Sequence, residues 1–458
     1  MGASDLRACE EKMRAAGQPE EAIRNFAHAY ERLAGGATTS MLPSAELEPV
    51  PDVPALAALP AADPGSALRA LVVIKLNGGL ATTMGLDRPK SLVEARDGRS
   101  FLDIIAGQTT ALRRRHAIPL PLLLMDSEAT RAETLRALEA HPDLEAQDLP
   151  ADFLQGMIPK LDAQTLEPAS WPRAPALEWC PPGHGDVYGA LRRSGILARL
   201  LENGIRHAMI SNADNLGATP DPRIAGFVAA HRIPFLMEVV EGIEADRKGG
   251  HIARRRADGT LVLRETAQTP PGEEESFRDY RHWRYYNTNT LWIDLEALAA
   301  TLAETGGVLE LPLIVNPKTV DPRDPSSPKV IQLESAMGAA IERFAGARIV
   351  CVPRTRFVPV KTTDDLLVLR SDAYTLTPDL RVEPVASPLP YVELDPRHYR
   401  LLDGFERRFP SGPPSLRDAR RLTVRGDVTF GAGVVVRGTV ELVAPEPLRI
   451  EDGAVLAA

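Results

Sequence analysis

Cysteine is scarce: 3 residues in a chain of 458. Cys9, Cys180 and Cys351 are odd in number and far apart, which excludes a disulfide framework and the close ligand pairs of a zinc site; they read as reduced thiols. Basic charge is short as well. With 53 Lys and Arg against 62 Asp and Glu, the net charge is -9, and a general binder of nucleic acid or anionic membrane needs the opposite balance or a basic stripe. Cations that bind an anion must therefore be gathered locally. No apolar run approaches the ~20 residues of a membrane span. The opening "MGASDLRACEEKMR" carries charge where a secretory signal needs an apolar stretch, and Leu6 stands where a myristoylation motif wants Ser or Thr. These absences point to a cytoplasmic chain. What remains, 44% hydrophobic and 25% charged, suits a globular chain with one large domain and a smaller one.

Residues 4 to 34 read as helical, split by Gly17-Gln18-Pro19. A stretch rich in Pro and Ala, "LPSAELEPVPDVPALAALPAADPGS", follows as a linker or extended arm, so that 1–66 form an N-terminal helical segment and linker. From 67 apolar runs alternate with helical patterns: Leu68 to Leu76, "SFLDIIAGQTTALRRRH", "IPLPLLLMD", "SEATRAETLRALEAH", then "LARLLENG", "RHAMISNAD", "DPRIAGFVAAH" and "IPFLMEVVE". Continuous apolar strands bounded by helices predict a doubly wound α/β sheet, mixed or parallel, over 67–378. Such sheets place ligands outside the carboxyl ends of their strands, where "LNGG" and "SNADN" fall. The tail, 379–458, lacks a helical period. In "LTVRGDVTFGAGVVVRGTVELV" the residues Val428, Val434 and Val440 recur every sixth position, a hexapeptide beat that predicts a short parallel β-helix, with a small β-meander as the alternative.

The stretch "KLNGGLATTMGLDRPKS", Lys75 to Ser91, follows the first apolar run. Glycines at a strand end let backbone N–H groups approach an anion. The spacing fits neither standard fingerprint: there is no G-x-G-x-x-G, and Leu86 follows Gly85 where a Walker loop needs Lys. Taken alone, a plain turn explains the glycines equally well. Lys90 tips the reading toward phosphate, because it can reach an anion cradled there.

Those residues resemble the signature of eukaryotic-type UTP:glucose-1-phosphate uridylyltransferases. "PPGHGDVYGAL", "ISNADNLGAT", "NTNTLW", "IQLESAMGAAI", "VPRTRFVPVKTTDDLL" and "LTVRGDVTFGAGV" resemble further family segments in family order, so the likeness spans roughly 70 to 445. It implies a Rossmann-like nucleotide-diphospho-sugar transferase fold with a short left-handed β-helix at its end. The implied reaction joins UTP and glucose 1-phosphate into UDP-glucose and pyrophosphate, with Mg2+. By the resemblance, Leu76, Asn77, Gly78, Gly79 and Gly183 line the nucleotide and Gln155 reads the uracil edge, which needs both a donor and an acceptor. Lys90 contacts the triphosphate and Lys361 stabilises the α-phosphate in the transition state. Asp214 holds the metal, the residue being a helix cap otherwise. His184, Asn212, Gly250, Glu265 and Asn289 receive the sugar phosphate, His184 as a hydrogen-bond donor.

Three departures stand out. Ala81 replaces the glycine usual after "GGL"; its methyl is harmless at negative φ and costly at positive φ. The loop "NPKTVDPRDPSSPKV" is longer and richer in proline than the family's. The chain stops at "GAVLAA", from which a monomer or dimer, not an octamer, is expected. A transferase for another sugar 1-phosphate (galactose or an N-acetylhexosamine) and a non-catalytic UDP-sugar binder are the rival readings, the second disfavoured by the two lysines and Asp214.

Overall fold

The computed structural model describes residues 3–36, 40–145 and 149–457. Two helices, α1 (Ala3–Ala15) and α2 (Glu20–Ala34), precede the main sheet. That sheet is built on β1 (Leu71–Leu76), β2 (Leu122–Asp126), β3 (Asp152–Leu154), β4 (His207–Asn212), β5 (Phe235–Glu241), β6 (Tyr285–Asp294) and β7 (Arg348–Cys351). Their spatial order is β7-β5-β6-β4-β1-β2-β3. The pairs β4/β1, β1/β2, β2/β3 and β5/β7 are parallel, whereas β6 runs antiparallel to both neighbours. The sheet is mixed, with parallel strands at its centre.

The apolar runs are continuous because both faces are covered. On β1, Leu71 and Val73 pack with Phe101, Ile104 and Ile105 of α3 (Phe101–His116) on one side. Val72 and Ile74 face Val187 and Leu191 of α4 (Val187–Arg193) on the other. Each such side chain contributes about 1.5–3 kcal/mol on full burial. The helices begin where local chemistry starts them. Ser100 caps α3 by accepting from Asp103 N, and Asp221 caps α5 (Pro222–His231) by accepting from Arg223 N.

The Pro- and Ala-rich stretch is an extended arm. Leu47–Pro49 pairs antiparallel with the strand His251–Arg255, and Pro54 O accepts from Cys351 N at the outer edge of β7. The tail forms a four-stranded sheet of Tyr391–Glu393, β8 (Ser415–Phe430), β9 (Val435–Ile450) and Val455–Ala457, with every pair parallel. Parallel pairing rules out the β-meander alternative, since a meander's neighbours are antiparallel. Among the described residues no helix is long and apolar enough to cross a membrane, and the three cysteines are free.

One irregularity shapes the site. In β6 the register against β5 jumps between Glu238↔Thr290 and Val239↔Asn287, and Asn289 sits at φ 56 in the resulting bulge. Below the bulge β6 pairs with β4; above it, Tyr286 meets His251 instead. The sheet thus parts at the carboxyl end of β4, next to that of β1.

Candidate active site

The glycine stretch folds back on itself. Ala81 N donates to Arg88 O at 3.0 Å and Lys90 N to Gly79 O at 3.2 Å, so ten residues of loop return Lys90 to the strand end it left. Ala81 adopts φ -79 and is fully buried, so its extra methyl packs without strain. Lys90 Nζ lies 2.6 Å from Asp214 Oδ2. The other oxygen, Asp214 Oδ1, is buried without a partner. Asp214 does not cap a helix; the cap of α5 is Asp221.

Lys361 is tied to the same carboxylate-bearing loop through the main chain. Asn215 Oδ1 accepts from Val358 N at 2.9 Å, and Asp214 O accepts from Val360 N at 3.2 Å. Lys361 follows at once, just before the helix Thr363–Arg370, and is exposed, not laid along a strand edge. Its ammonium works against protonation of His184 and favours ionisation of Glu265, so it faces both. The two lysines are far apart in sequence; Lys90 pairs with the Asp214 carboxylate, and the residue before Lys361 bonds to the Asp214 carbonyl.

Beneath them lies a layer of buried charge that sequence reading missed. Arg356 donates to Glu238 Oε2 at 2.7 Å and Oε1 at 2.6 Å, and Trp292 Nε1 adds 2.9 Å to Oε1. Lys75 Nζ donates to Ser211 Oγ and Ala218 O, both at 2.8 Å, which fastens the loop carrying Asp214. Burial, reinforced by Arg356, pushes Lys75 down to about 7 against the pull of Glu238 and Asp214. The available signal was a lysine inside the apolar run "LVVIKL".

Beside the glycine loop, Gln155 follows β3, its N–H donating to Asp126 O at 2.8 Å. Its side chain lies over Gly78, where a Cβ would come within 2.7 Å of Gln155 Cδ. Asn77 departs from the expectation as far as its side chain goes. That group is turned inward, donating to Asp126 Oδ1 at 2.7 Å and Thr134 Oγ1 at 2.9 Å, because a buried amide must find partners inside. Asn77 presents only backbone to the strand end, beside half-buried Leu76 and the open Gly79. Gly183 sits at φ 81 with a Cβ position 2.7 Å from Ser335 N, so only glycine fits.

One cavity of about 390 Å³ is lined by His184, Asn212, Gly250, Glu265, Asn289 and Lys361. Asn289 Nδ2 donates to Asn212 Oδ1 at 3.1 Å across the gap opened by the bulge. His184 Nδ1 accepts from Met337 N at 3.0 Å, which leaves the proton of a neutral imidazole on Nε2. Burial, then Lys361, drives His184 down to about 4, so it stays neutral. Burial pushes Glu265 up, opposed by Lys361. Asp246 and Lys248 also line this cavity; neither stood out in the sequence.

Among the described residues no group of three His, Cys, Asp or Glu side chains gathers as a metal site. A single carboxylate with one unpartnered buried oxygen suits Mg2+, which takes one or two carboxylates and completes its shell with water and substrate phosphates.

A glycine-lined strand end meeting a polar cavity, with cations drawn from distant segments to their junction, is what joining two phosphate-bearing substrates demands, and it marks the class as sugar nucleotidyltransferases. The family model for UTP–glucose-1-phosphate uridylyltransferase matches residues 23–437. The probable UTP–glucose-1-phosphate uridylyltransferase of Schizosaccharomyces pombe is 38% identical over 400 residues, 85% of this chain and 76% of its own. The Solanum tuberosum enzyme of that name is 39% identical over 394 residues, 84% and 80%. The UDP-glucose pyrophosphorylase of Leishmania major, solved in open and closed structures, is 44% identical with a TM-score of 0.94, covering 100% of this chain and 99% of that one. The chain belongs to the UTP–glucose-1-phosphate uridylyltransferase family.

Proposed function

We propose that the chain carries out its family's reaction in the following way. An ionised phosphate oxygen of glucose 1-phosphate attacks the α-phosphorus of UTP in line. The new P–O bond forms as the bond to the β-phosphate's bridging oxygen breaks, giving UDP-glucose and pyrophosphate. The nucleophile is already ionised at neutral pH, so no general base is needed, and catalysis rests on positioning and charge. Two anions held a few Å apart repel by several kcal/mol, on the order of 4 at a protein-like dielectric. Lys90 and Lys361 answer that repulsion. The observation that carries the proposal is that Lys90 pairs with Asp214 while the segment entering Lys361, at the rim of the polar cavity, bonds to the Asp214 carbonyl through Val360 N.

Gly78, Gly79 and Gly183 admit the nucleotide backbone, and Gln155 reads the uracil edge. The cavity takes the glucose, with Glu265, Asn212 and Asn289 on its hydroxyls and His184 Nε2–H donating to the sugar phosphate. Asp214, through its unpartnered oxygen, would hold Mg2+, which neutralises triphosphate charge when bound. In the tail, Thr423 pairs with Glu441 and Val424 with Leu442. This offset equals three hexapeptides and supports a short left-handed parallel β-helix.

Pyrophosphate release from UTP and Mg2+ with a panel of sugar 1-phosphates tests the proposal. Release with glucose 1-phosphate alone is expected. Release with galactose or N-acetylhexosamine 1-phosphates in its place reassigns the sugar, and no release with any of them identifies a binder without turnover.

A further inference from the structure

In "PPGHGD" the glycine and histidine are absorbed by the site, but Asp186 is not. It is nevertheless buried, with its side chain 8% exposed, and paired with Arg193, 7% exposed. Arg193 Nη2 lies 2.7 Å from each carboxylate oxygen, and Oδ2 also accepts from Gly156 N at 2.6 Å. Gly156 is the residue after Gln155. The two amides that flank Gln155 are thereby pinned: its own to Asp126 O, the next to Asp186. With both peptide planes fixed, the Cα–Cβ bond of Gln155 is fixed too, and its amide starts from a set position over Gly78.

Two glycines make the arrangement. A Cβ on Gly156 would lie 3.1 Å from Asp186 Oδ2 and 3.3 Å from Arg193 Nη2, tight enough to push the pair back by a few tenths of an ångström. On α4, Arg193 folds back one turn over Gly189, where a Cβ would strike the guanidinium. Asn25 of α2 approaches the same spot, its Nδ2 3.5 Å from that Cβ position. Asp186 also ends the turn that starts at Gly183 and His184, so one ion pair joins the segment that reads the base to the segment that meets the phosphate.

We infer that the buried Asp186–Arg193 pair is a specificity-positioning device: it holds Gln155 in register with the nucleobase edge and so sets the preference for uracil over cytosine. Both residues act through Gln155 and touch no substrate. The inference rests on the reading that Gln155 recognises uracil. The carboxylate takes three contacts from two donor nitrogens, Gly156 N and Arg193 Nη2; an amide has one accepting oxygen, so Asp186→Asn must lose either the Gly156 contact or part of the arginine contact.

The test compares kcat/KM for UTP with that for CTP, at saturating glucose 1-phosphate, in the full chain and in Gln155→Ala, Asp186→Asn, Gly189→Ala and the Gln155→Ala/Asp186→Asn double variant. Gly189→Ala sits in a helix, where alanine is favoured, and displaces only the guanidinium, so it serves if Asp186→Asn does not fold. Gln155→Ala is expected to collapse the UTP/CTP ratio. Asp186→Asn and Gly189→Ala are each expected to lower it by about tenfold, with the KM for glucose 1-phosphate within about twofold. Asp186→Asn in the Gln155→Ala background should lower it no further. If Gln155→Ala collapses the ratio while Asp186→Asn and Gly189→Ala reduce both nucleotides equally, the pair is merely structural and the inference is overturned. If Gln155→Ala leaves the ratio intact, the assignment of Gln155 fails, and this inference with it.

Discussion

Replacing Gly250 with alanine should damage sugar recognition and leave the nucleotide untouched. A Cβ built there lies 2.6 Å from Glu265 Cδ and 2.7 Å from each carboxylate oxygen, against 3.4 Å or more for an ordinary contact. The carboxylate must retreat by about 0.7 Å, which stretches a hydrogen bond of about 2.8 Å beyond useful length. Losing a hydrogen bond to a charged group costs about 1.5–3 kcal/mol, or about 10- to 100-fold in kcat/KM for glucose 1-phosphate. Steady-state kinetics with each substrate varied in turn, plus calorimetric titration of UTP alone, would read this out. UTP affinity should hold within about twofold, since Gly250 lines the cavity proposed for the sugar and not the glycine loop. Unchanged sugar kinetics, or an equal loss for UTP, would refute the placement of Glu265 and Gly250 in the sugar subsite.

Lys361→Ala should fold normally, because the side chain is exposed, and lower kcat by about 10²- to 10³-fold, as removal of one transition-state donor does elsewhere; a thermal melt beside a rate measurement checks both halves. Neighbouring glycines should behave differently: Gly78→Ala displaces Gln155 before any ligand arrives, whereas a Cβ at Gly79 meets nothing within 4 Å. A UTP affinity lost in Gly79→Ala, with stability unchanged, would therefore locate the ligand itself against that residue. Asp126 is raised from 3.8 to about 6 by burial, with Oδ2 unpartnered. A folded carboxyl that holds its proton more tightly than the unfolded chain loses stability as pH climbs through that range, by about 3 kcal/mol at most. Asp126→Asn keeps the acceptor for Asn77 and Thr130, and denaturant midpoints should show it stabilised by about 1–3 kcal/mol at pH 8, with the gain gone near pH 4.

The features legible from the sequence were those fixed by near neighbours. Ser100 and Asp221 start helices through bonds two or three residues away, and β1 reads as a strand because every residue from Leu71 to Lys75 is buried. The glycine loop could be placed at a strand end for the same reason. Contacts set by distant segments stayed hidden. Nothing near Asn77 says that its amide must serve Asp126 and Thr134, and nothing near Glu238 announces Arg356, 118 residues on. The arm is an intermediate case: its prolines forecast an extended chain, but its partners, His251–Arg255 and Cys351, lie too far along the sequence for any local pattern to reveal.

That arm bears on how the enzyme can be divided. Cutting at residue 67 would strip the cover from the free side of His251–Arg255 and from Cys351 at the end of β7. Open strand borders of this kind recruit other chains. A catalytic fragment trimmed to its sheet and helices is therefore expected to clump, because the cover over these borders is supplied by residues 47–55.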